Sequence, residues 1–468
     1  MLIALSYAIL IKIVLSEVKQ LNQNQDQWKT RLGFMLAAMG SAVGLGNIWR
    51  FPYVTGELGG ATFLIVYLAF VFLIGIPLLL NEFSIGKAGQ KDAVGSFQNL
   101  APNTKWHWTG FMGVIGGILI LSFYSVVAGW SLFYLYKYLT GAYWSEPDGG
   151  YGMVFDEWIS NPILPLLWQA LFLGVTLFIV IRGVKGGIEK ANAFLMPVLA
   201  VLMIFMAGYV LTLDGALEGV TFLFQPDWSQ LSNPKLYLTA LGQAFFSLSI
   251  GVSGMLTYAS YLKAKDRLPG AAIGVGVMDT VFAVIAGIMI FPAVFSFGLE
   301  VNEGPQLVFI TLPSIFASMP LGNVVGIIFF VLLTMAALSS AISLLELPVA
   351  FFKRTIGMSR KAATYLCTSI IFVLGIASSL GFGIWSGVTI GGQNILGMID
   401  YLTANFVLPF GALLMALFVG WYLNREQAQK NSEIENPLMF NIWYIIIKII
   451  VPVVMIIIVI ANIFGYTA

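Results

Sequence analysis

A chain of 468 residues that is 59% hydrophobic and only 10% charged departs from soluble globular composition, in which about a quarter of residues carry charge. At a mean hydropathy of +0.90 there is too little polar surface to coat a compact shape in water, which excludes soluble enzymes, nucleic-acid binders and disordered regulators. Lys and Arg number 23 against 22 Asp and Glu, so the net charge points to no nucleic-acid partner, and the lipid bilayer is the solvent. The single Cys367 has no internal disulfide partner and the lone His107 belongs to no metal cluster, so both read as structural residues.

In chain order, the first fifteen residues (MLIALSYAILIKIVL) are apolar but interrupted by Lys12, too short to span, and lack a basic leader and a small-residue cleavage site. They read as an interfacial helix or as translated upstream sequence rather than a signal peptide. Eleven apolar runs of about 20 residues then follow: 32–53, 61–85, 108–139, 164–181, 191–212, 237–262, 271–297, 323–351, 363–380, 396–421 and 440–463. Each exceeds a barrel strand in length, and in lipid an isolated segment satisfies its backbone only as a helix. The expected fold class is therefore an all-α, multi-pass membrane protein.

Alternate loops separate by charge. One set holds Lys87, Lys91 and Lys105; Arg182, Lys185 and Lys190; Lys263, Lys265 and Arg267; Lys353, Arg354, Arg360 and Lys361; Arg425 and Lys430. The other set holds Glu57; Glu146, Asp148, Asp156 and Glu157; Asp214, Glu218 and Asp227 with Lys235; Glu300 and Glu303. The positive-inside rule makes the first set cytoplasmic. It puts the N-terminus inside and the C-terminus outside a plasma (inner) membrane, an asymmetry that eleven spans require.

Two runs are not plain. The first contains Gly40-Ser-Ala-Val-Gly-Leu-Gly-Asn-Ile-Trp-Arg-Phe-Pro52, and the sixth contains Gly242-Gln-Ala-Phe-Phe-Ser-Leu-Ser-Ile-Gly-Val-Ser-Gly254. Glycines, a proline and polar side chains at membrane depth weaken helix continuity, and unwound backbone is tolerated in a bundle only where it faces a cavity. The two interruptions lie five spans apart, the signature of a 5+5 inverted-repeat transporter with discontinuous helices 1 and 6 and its site where the breaks meet. This predicts a segment over 1–30, a first repeat over 31–212, a second over 213–421, and a loop with an eleventh span over 422–468. Close helix packing through small residues explains one such stretch, but not two at matching positions with a buried Asn47. Half-helix N-termini would face an anion, and freed carbonyls a cation.

The stretches Gly44-Leu-Gly-Asn-Ile-Trp-Arg-Phe-Pro52 and Gly242-Gln-Ala-Phe-Phe-Ser-Leu-Ser249 resemble the neurotransmitter:sodium symporter family, especially its bacterial amino-acid transporters, and the likeness runs from Trp28 to about residue 460. The resemblance implies a substrate carboxylate held by the N–H groups of Leu45 and Gly46 and the Tyr124 hydroxyl. It sets the substrate ammonium against carbonyls of Ala42, Phe246 and Ser247 and the Ser249 hydroxyl. One sodium ion would use Ala42, Asn47, Ser247 and Asp279 together with the substrate carboxylate. A second would use the carbonyls of Gly40, Val43 and Ala336 with the hydroxyls of Ser339 and Ser340. Hard oxygen ligands suit a hard cation, and direct contact between sodium and carboxylate supplies the coupling.

Gly44 stands where the family's monoamine transporters bear an aspartate, so the ligand here is expected to bring its own carboxylate. Val252 replaces a larger aromatic residue of a family member, and Phe246, Leu344, Ala341 and Ile120 complete a wide apolar lining. The expected activity is sodium-coupled import of hydrophobic or aromatic L-amino acids by alternating access. Asp279 replaces the family's usual asparagine beside the first sodium, and Ala283 takes the place of a nearby glutamate in a relative. Because chloride-dependent members supply that negative charge with a bound anion, no chloride requirement is expected.

For the gates, the resemblance assigns Arg50 and Asp400 to an outer closure over Tyr124 and Phe246, and Trp28, Tyr261 and Glu346 to an inner one. Gln25 and Arg354 occupy the positions of the family's inner Arg–Asp pair, so that bridge is lost at both ends; Asp26 and Arg354 offer a pair of reversed polarity, read rather as a solvated surface pair worth ~0–1 kcal/mol. Gly187, ten positions before Pro197, resembles the family signature for a half-helix that unwinds to release the second sodium ion. Glu82, alone in the second span, is expected to brace the unwound part of the sixth. Three other readings compete: a symporter of small osmolytes or GABA-like substrates, disfavoured by the apolar lining; a sodium channel; and a membrane enzyme. The enzyme reading is disfavoured because no His/Cys/Asp cluster or nucleophile–base pair appears in the spans.

Overall fold

The computed structural model describes residues 26–298 and 307–463; the apolar segment over 1–15 and Gln25 lie outside them. Among the described residues, eight continuous helices are long and apolar enough to cross a bilayer: Ala61–Gly89, His107–Leu139, Val184–Val210, Pro269–Ser296, Gly322–Arg354, Arg360–Leu380, Ile395–Tyr422 and Pro437–Asn462. Leu164–Val180 adds a shorter one. The first span is broken into Arg31–Ala42 and Gly46–Glu57, bent by 45°, and the sixth into Pro234–Ser247 and Gly254–Ala259. These are the eleven expected spans. The fifth starts seven residues before the expected 191 because its first turns carry Lys185, Glu189 and Lys190, which are helical without being apolar. Hydropathy marks the hydrocarbon layer, not the helix ends.

Apolar residues face outward as well as inward. Phe194, Val201, Ile204 and Phe205 on the fifth span are all more than half exposed, a face that water would penalise and lipid tails would not. Close packing inside the bundle therefore depends on small residues. A Cβ on Gly117 would meet Leu347 Cδ2 at 2.7 Å, and one on Gly326 would meet the Tyr138 ring at 2.2 Å. Both contacts join the third and eighth spans, the 33-residue helices that flank the breaks.

The breaks themselves have local causes. Val43 ends the first half-helix in an extended conformation (φ −76°, ψ 105°), Gly44 N–H turns to Asn47 Oδ1 at 3.1 Å, and Pro52 opens the next α segment. In the sixth span, Ser249 (φ 53°), Gly251 (φ 93°) and Ser253 (φ 63°) all adopt the left-handed region, a conformation that serines hold only when the surroundings dictate it. A Cβ on Gly251 would lie 2.1 Å from the Leu408 carbonyl oxygen, so no other residue fits there.

Glu82 holds this loop as expected. Its carboxylate accepts from Gly251 N–H at 2.6 Å and Leu256 N–H at 3.3 Å, covering a loop amide and a first-turn amide that no helix bond satisfies. Glu82→Ala leaves both donors buried without an acceptor, at roughly 1–3 kcal/mol each. The expected result is a lowered thermal unfolding midpoint in detergent, partly recovered in Glu82→Gln, which keeps one acceptor.

Candidate functional site: a cavity between two broken helices

The breaks meet at a small cavity bounded by both broken helices and by Ile120, Tyr124, Ser340, Leu344 and Leu408. From the expected set, Ala42, Gly44, Leu45, Gly46, Tyr124, Phe246, Ser249, Val252 and Leu344 line it. Ala341 and Ser247 do not: Ala341 is fully buried, and Ser247 turns its hydroxyl to Asp279. Ser41 and Leu408 were not anticipated. Ser41 lies inside the glycine-rich break, whereas Leu408 is one apolar residue among many in its span and gave no signal.

One end of the cavity is polar. Leu45 N–H donates to the Tyr124 hydroxyl at 3.3 Å, and Leu45 and Gly46 open the outer half-helix, where amides have no carbonyl one turn back. Gln243 Nε2 holds the Gly46 carbonyl at 3.0 Å, and Ser249 Oγ donates to the Ser41 carbonyl at 2.9 Å. A Cβ on Gly44 would meet Ser340 Oγ at 2.3 Å and Tyr124 Oη at 3.1 Å, so an acidic side chain has no room at that position. The remaining walls, Ile120, Val252, Leu344, Leu408 and the Phe246 ring, are apolar.

Beside this end, Asn47, Ser247 and Asp279 come together. Asn47 Nδ2 donates to Asp279 Oδ1 at 2.8 Å and to Ser247 Oγ at 3.1 Å. Ser247 Oγ lies 2.8 and 2.7 Å from the two carboxylate oxygens, and the Tyr67 hydroxyl reaches Oδ2 at 3.3 Å. Asp279 is fully buried, and among the described residues no Lys or Arg pairs with it. A buried carboxyl surrounded only by neutral donors is made stable by a bound cation or by a proton; this is the place expected for the first sodium ion. Tyr67, missed in the sequence, is one of several tyrosines in apolar runs.

A second oxygen cluster joins the first and eighth spans. Ser339 Oγ lies 3.3 Å from the Val43 carbonyl and 2.9 Å from that of Ala336. Ser340 Oγ lies 3.3 Å from the carbonyls of both Gly40 and Ser41. The five expected ligands thus lie together; of the three carbonyls, those of Gly40 and Val43 are at the end of the first half-helix and that of Ala336 is inside the eighth span. Such a set can hold a hard cation.

The gates differ from expectation in two respects. Trp28 is buried with Nε1 on the Tyr258 carbonyl at 2.8 Å, and Tyr261 Oη donates to Glu346 Oε1 at 2.6 Å. Asp26, however, pairs with Lys353 and with Arg360 (3.3 Å) and not with Arg354. Arg354 instead donates to Ser260 Oγ and the Gln90 carbonyl, both at 2.8 Å. One residue along a helix rotates a side chain by about 100°, which turns Lys353 toward Asp26 and Arg354 away. Arg360 forks onto Glu346 (2.5 and 3.2 Å) and caps the Val180 carbonyl; in the sequence it was only one loop charge among several. At the other end, Arg50 and Asp400 form no ion pair. The Arg50 guanidinium lies 4.9 Å over the Phe246 ring, with Nε and Nη1 lacking hydrogen-bond partners.

Comparison with known proteins agrees with this geometry. The model of the sodium:neurotransmitter symporter family matches residues 25–152 and 162–468. A sodium-dependent transporter of Bacillus subtilis, YhdH, is 40% identical over 446 residues, covering 95% of this chain and 98% of that protein. A Haemophilus influenzae sodium-dependent transporter is 35% identical, covering 95% and 99%. The crystal structure of MhsT in complex with L-phenylalanine superposes with a TM-score of 0.89 at 54% identity, covering 94% of this chain and all of that one. With the family pattern extending over nearly the whole length and two sodium-dependent transporters 40% and 35% identical over almost their entire chains, this chain belongs to the sodium:neurotransmitter symporter family and is a sodium-dependent symporter.

Proposed function

We propose that the protein imports hydrophobic or aromatic L-amino acids together with two sodium ions, without chloride, by alternating access between two inverted repeats over 31–212 and 213–421. The observation that carries this reading is the shape of the cavity: one polar end, built from Leu45, Gly46 and Tyr124, opens onto apolar walls with Val252 in place of a larger ring. A zwitterion with a bulky side chain matches both ends. Its carboxylate, beside Asn47 and the Ala42 carbonyl, completes the first sodium site, so neither binds well without the other. The basic loops face the cytoplasm, with the N-terminus inside and the C-terminus outside. Each net charge moved inward gains about 2.3 kcal/mol per 100 mV of membrane potential. The relation to MhsT, whose structure holds L-phenylalanine, supports the same substrate class.

The test is uptake of labelled phenylalanine, tyrosine, tryptophan and leucine into proteoliposomes, with a sodium gradient against choline and chloride replaced by gluconate. Accumulation that needs sodium and ignores chloride is the expected outcome. Competition by GABA or betaine in preference to these amino acids would replace the substrate class. Side-chain size is tested at Val252: Val252→Phe is expected to lower tryptophan uptake relative to leucine by roughly 10–100-fold, the range of ~1–3 kcal/mol set by local pocket contacts.

A further inference from the structure

The fifth span begins with a π turn, Val184–Ile188, and continues as Glu189–Val210. Two polar side chains just after the turn touch the inner half of the first span. Glu189 accepts from the N–H groups of Lys29 (2.7 Å) and Thr30 (3.1 Å) and from the Thr30 hydroxyl (2.8 Å), capping that half-helix. Asn192, fully buried, behaves differently. Its Nδ2 donates to the Ile188 carbonyl at 3.0 Å, which ties it to the turn, while its Oδ1 is buried without a hydrogen-bond partner. A Cβ built on Gly40 would lie 2.2 Å from that oxygen and 3.1 Å from Ser339 Cβ. Gly40 and Ser339 belong to the second oxygen cluster, so an orphaned amide oxygen stands against its wall on the side of the fifth span.

We propose that Asn192 is the handover ligand for the second sodium ion: its Oδ1 takes the ion as it leaves the Gly40–Ser339 cluster toward the cytoplasm, when the Val184–Ile188 turn opens. The proposal rests on the two-sodium reading above. Buried polar atoms are almost always partnered, and an amide oxygen is a hard ligand suited to a hard cation. An ion moving out of the cluster would satisfy Asn192 in the same step that costs it the Gly40 and Ser339 oxygens. While the turn is intact, the Ile188 carbonyl holds the amide in place; once the turn opens, the side chain is free to follow the ion. Any side chain at Gly40 would fill the space between this oxygen and the cluster.

The test uses the full chain: sodium-driven uptake in proteoliposomes, and hydrogen exchange at amides 184–188 titrated with sodium against choline. If the wild type shows neither sodium-dependent uptake nor sodium-dependent protection, the sodium reading itself fails, whatever Asn192 does. Given a responsive wild type, Asn192→Ala and the better-packing Asn192→Leu are expected to cut maximal uptake by about tenfold while moving the half-protecting sodium concentration by less than about twofold, because the barrier to release rises and the resting site is intact. Asn192→Asp, which adds charge at the handover point, is expected to lower the half-protecting sodium concentration by about fivefold or more. Wild-type turnover in the Ala and Leu variants would overturn the proposal. So would an Asp variant that behaves like Ala, or a parallel loss of turnover and sodium protection in all three, the mark of a packing role.

Discussion

Asp279→Asn is expected to abolish sodium-dependent uptake in chloride-free medium and to recover it when chloride is supplied. The carboxylate is fully buried and held by Asn47, Ser247 and Tyr67, all neutral. On the proposed reading it supplies the local negative charge for a cation at Asn47 and Ser247. Amide replaces carboxylate with almost no change of volume, so packing is retained and only the charge is lost. A sodium ion left there without a counterion would suffer the desolvation penalty of an unpaired buried charge, several kcal/mol, or at least about a hundredfold in uptake at fixed sodium. A small anion seated beside Tyr67 and Ser247 would restore the balance. Uptake measured with chloride and with gluconate decides the matter: a variant insensitive to chloride and as active as the wild type would remove Asp279 from the charge-balancing role.

The second large effect is expected at Arg360. Its guanidinium is, among the described residues, the sole cation on Glu346, which is fully buried, and it also holds Asp26 and the Val180 carbonyl. Arg360→Ala strands a buried carboxylate, a change that costs about 3–5 kcal/mol, and it loosens the contacts of Asp26 and Tyr261 beside Trp28. The stability loss is expected in thermal unfolding. The conformational consequence is expected as faster hydrogen exchange over Arg31–Ala42, since this end of the bundle loses its central charge pair. Pairing Arg360→Leu with Glu346→Gln removes both charges and should return most of the stability but not the slow exchange. If the single and double variants are equally unstable, the residues act through packing and not as an ion pair.

Most of the fold was legible in one dimension because the bilayer is a strict solvent. Hydrocarbon requires long apolar runs and internally satisfied backbone, so eleven spans followed from hydropathy. The broken pair followed from glycines, hydroxyls and Asn47 at depths where plain helices carry none. Glu82 was legible for the same reason, a lone acid in an apolar run, and it does hold the sixth-span loop. Residues that contribute through position alone were not legible: Leu408 and Tyr67 look like many of their neighbours, and Ser41 gains its place on the cavity wall only from the bend.

The charged end of the bundle shows the limit most clearly. The sequence, through loop charge and the family resemblance, placed Asp26, Glu346 and the basic residues after the eighth span at one end of the bundle. It did not determine the partners. Lys353 and Arg354 are adjacent in the chain, yet one faces Asp26 and the other turns to Ser260 and Gln90. Arg360, beyond a turn, reaches back to Glu346. Pairing depends on helix rotation and on how two helices lie against each other, which are set by packing across the bundle and carry no local signature. The same holds for Glu189 and Asn192, whose contacts with the first span exist only because Gly33 and Gly40 let the fifth span come close. Composition and periodicity therefore specified the solvent, the spans and the place of the site, and the tertiary structure decided which side chains meet there.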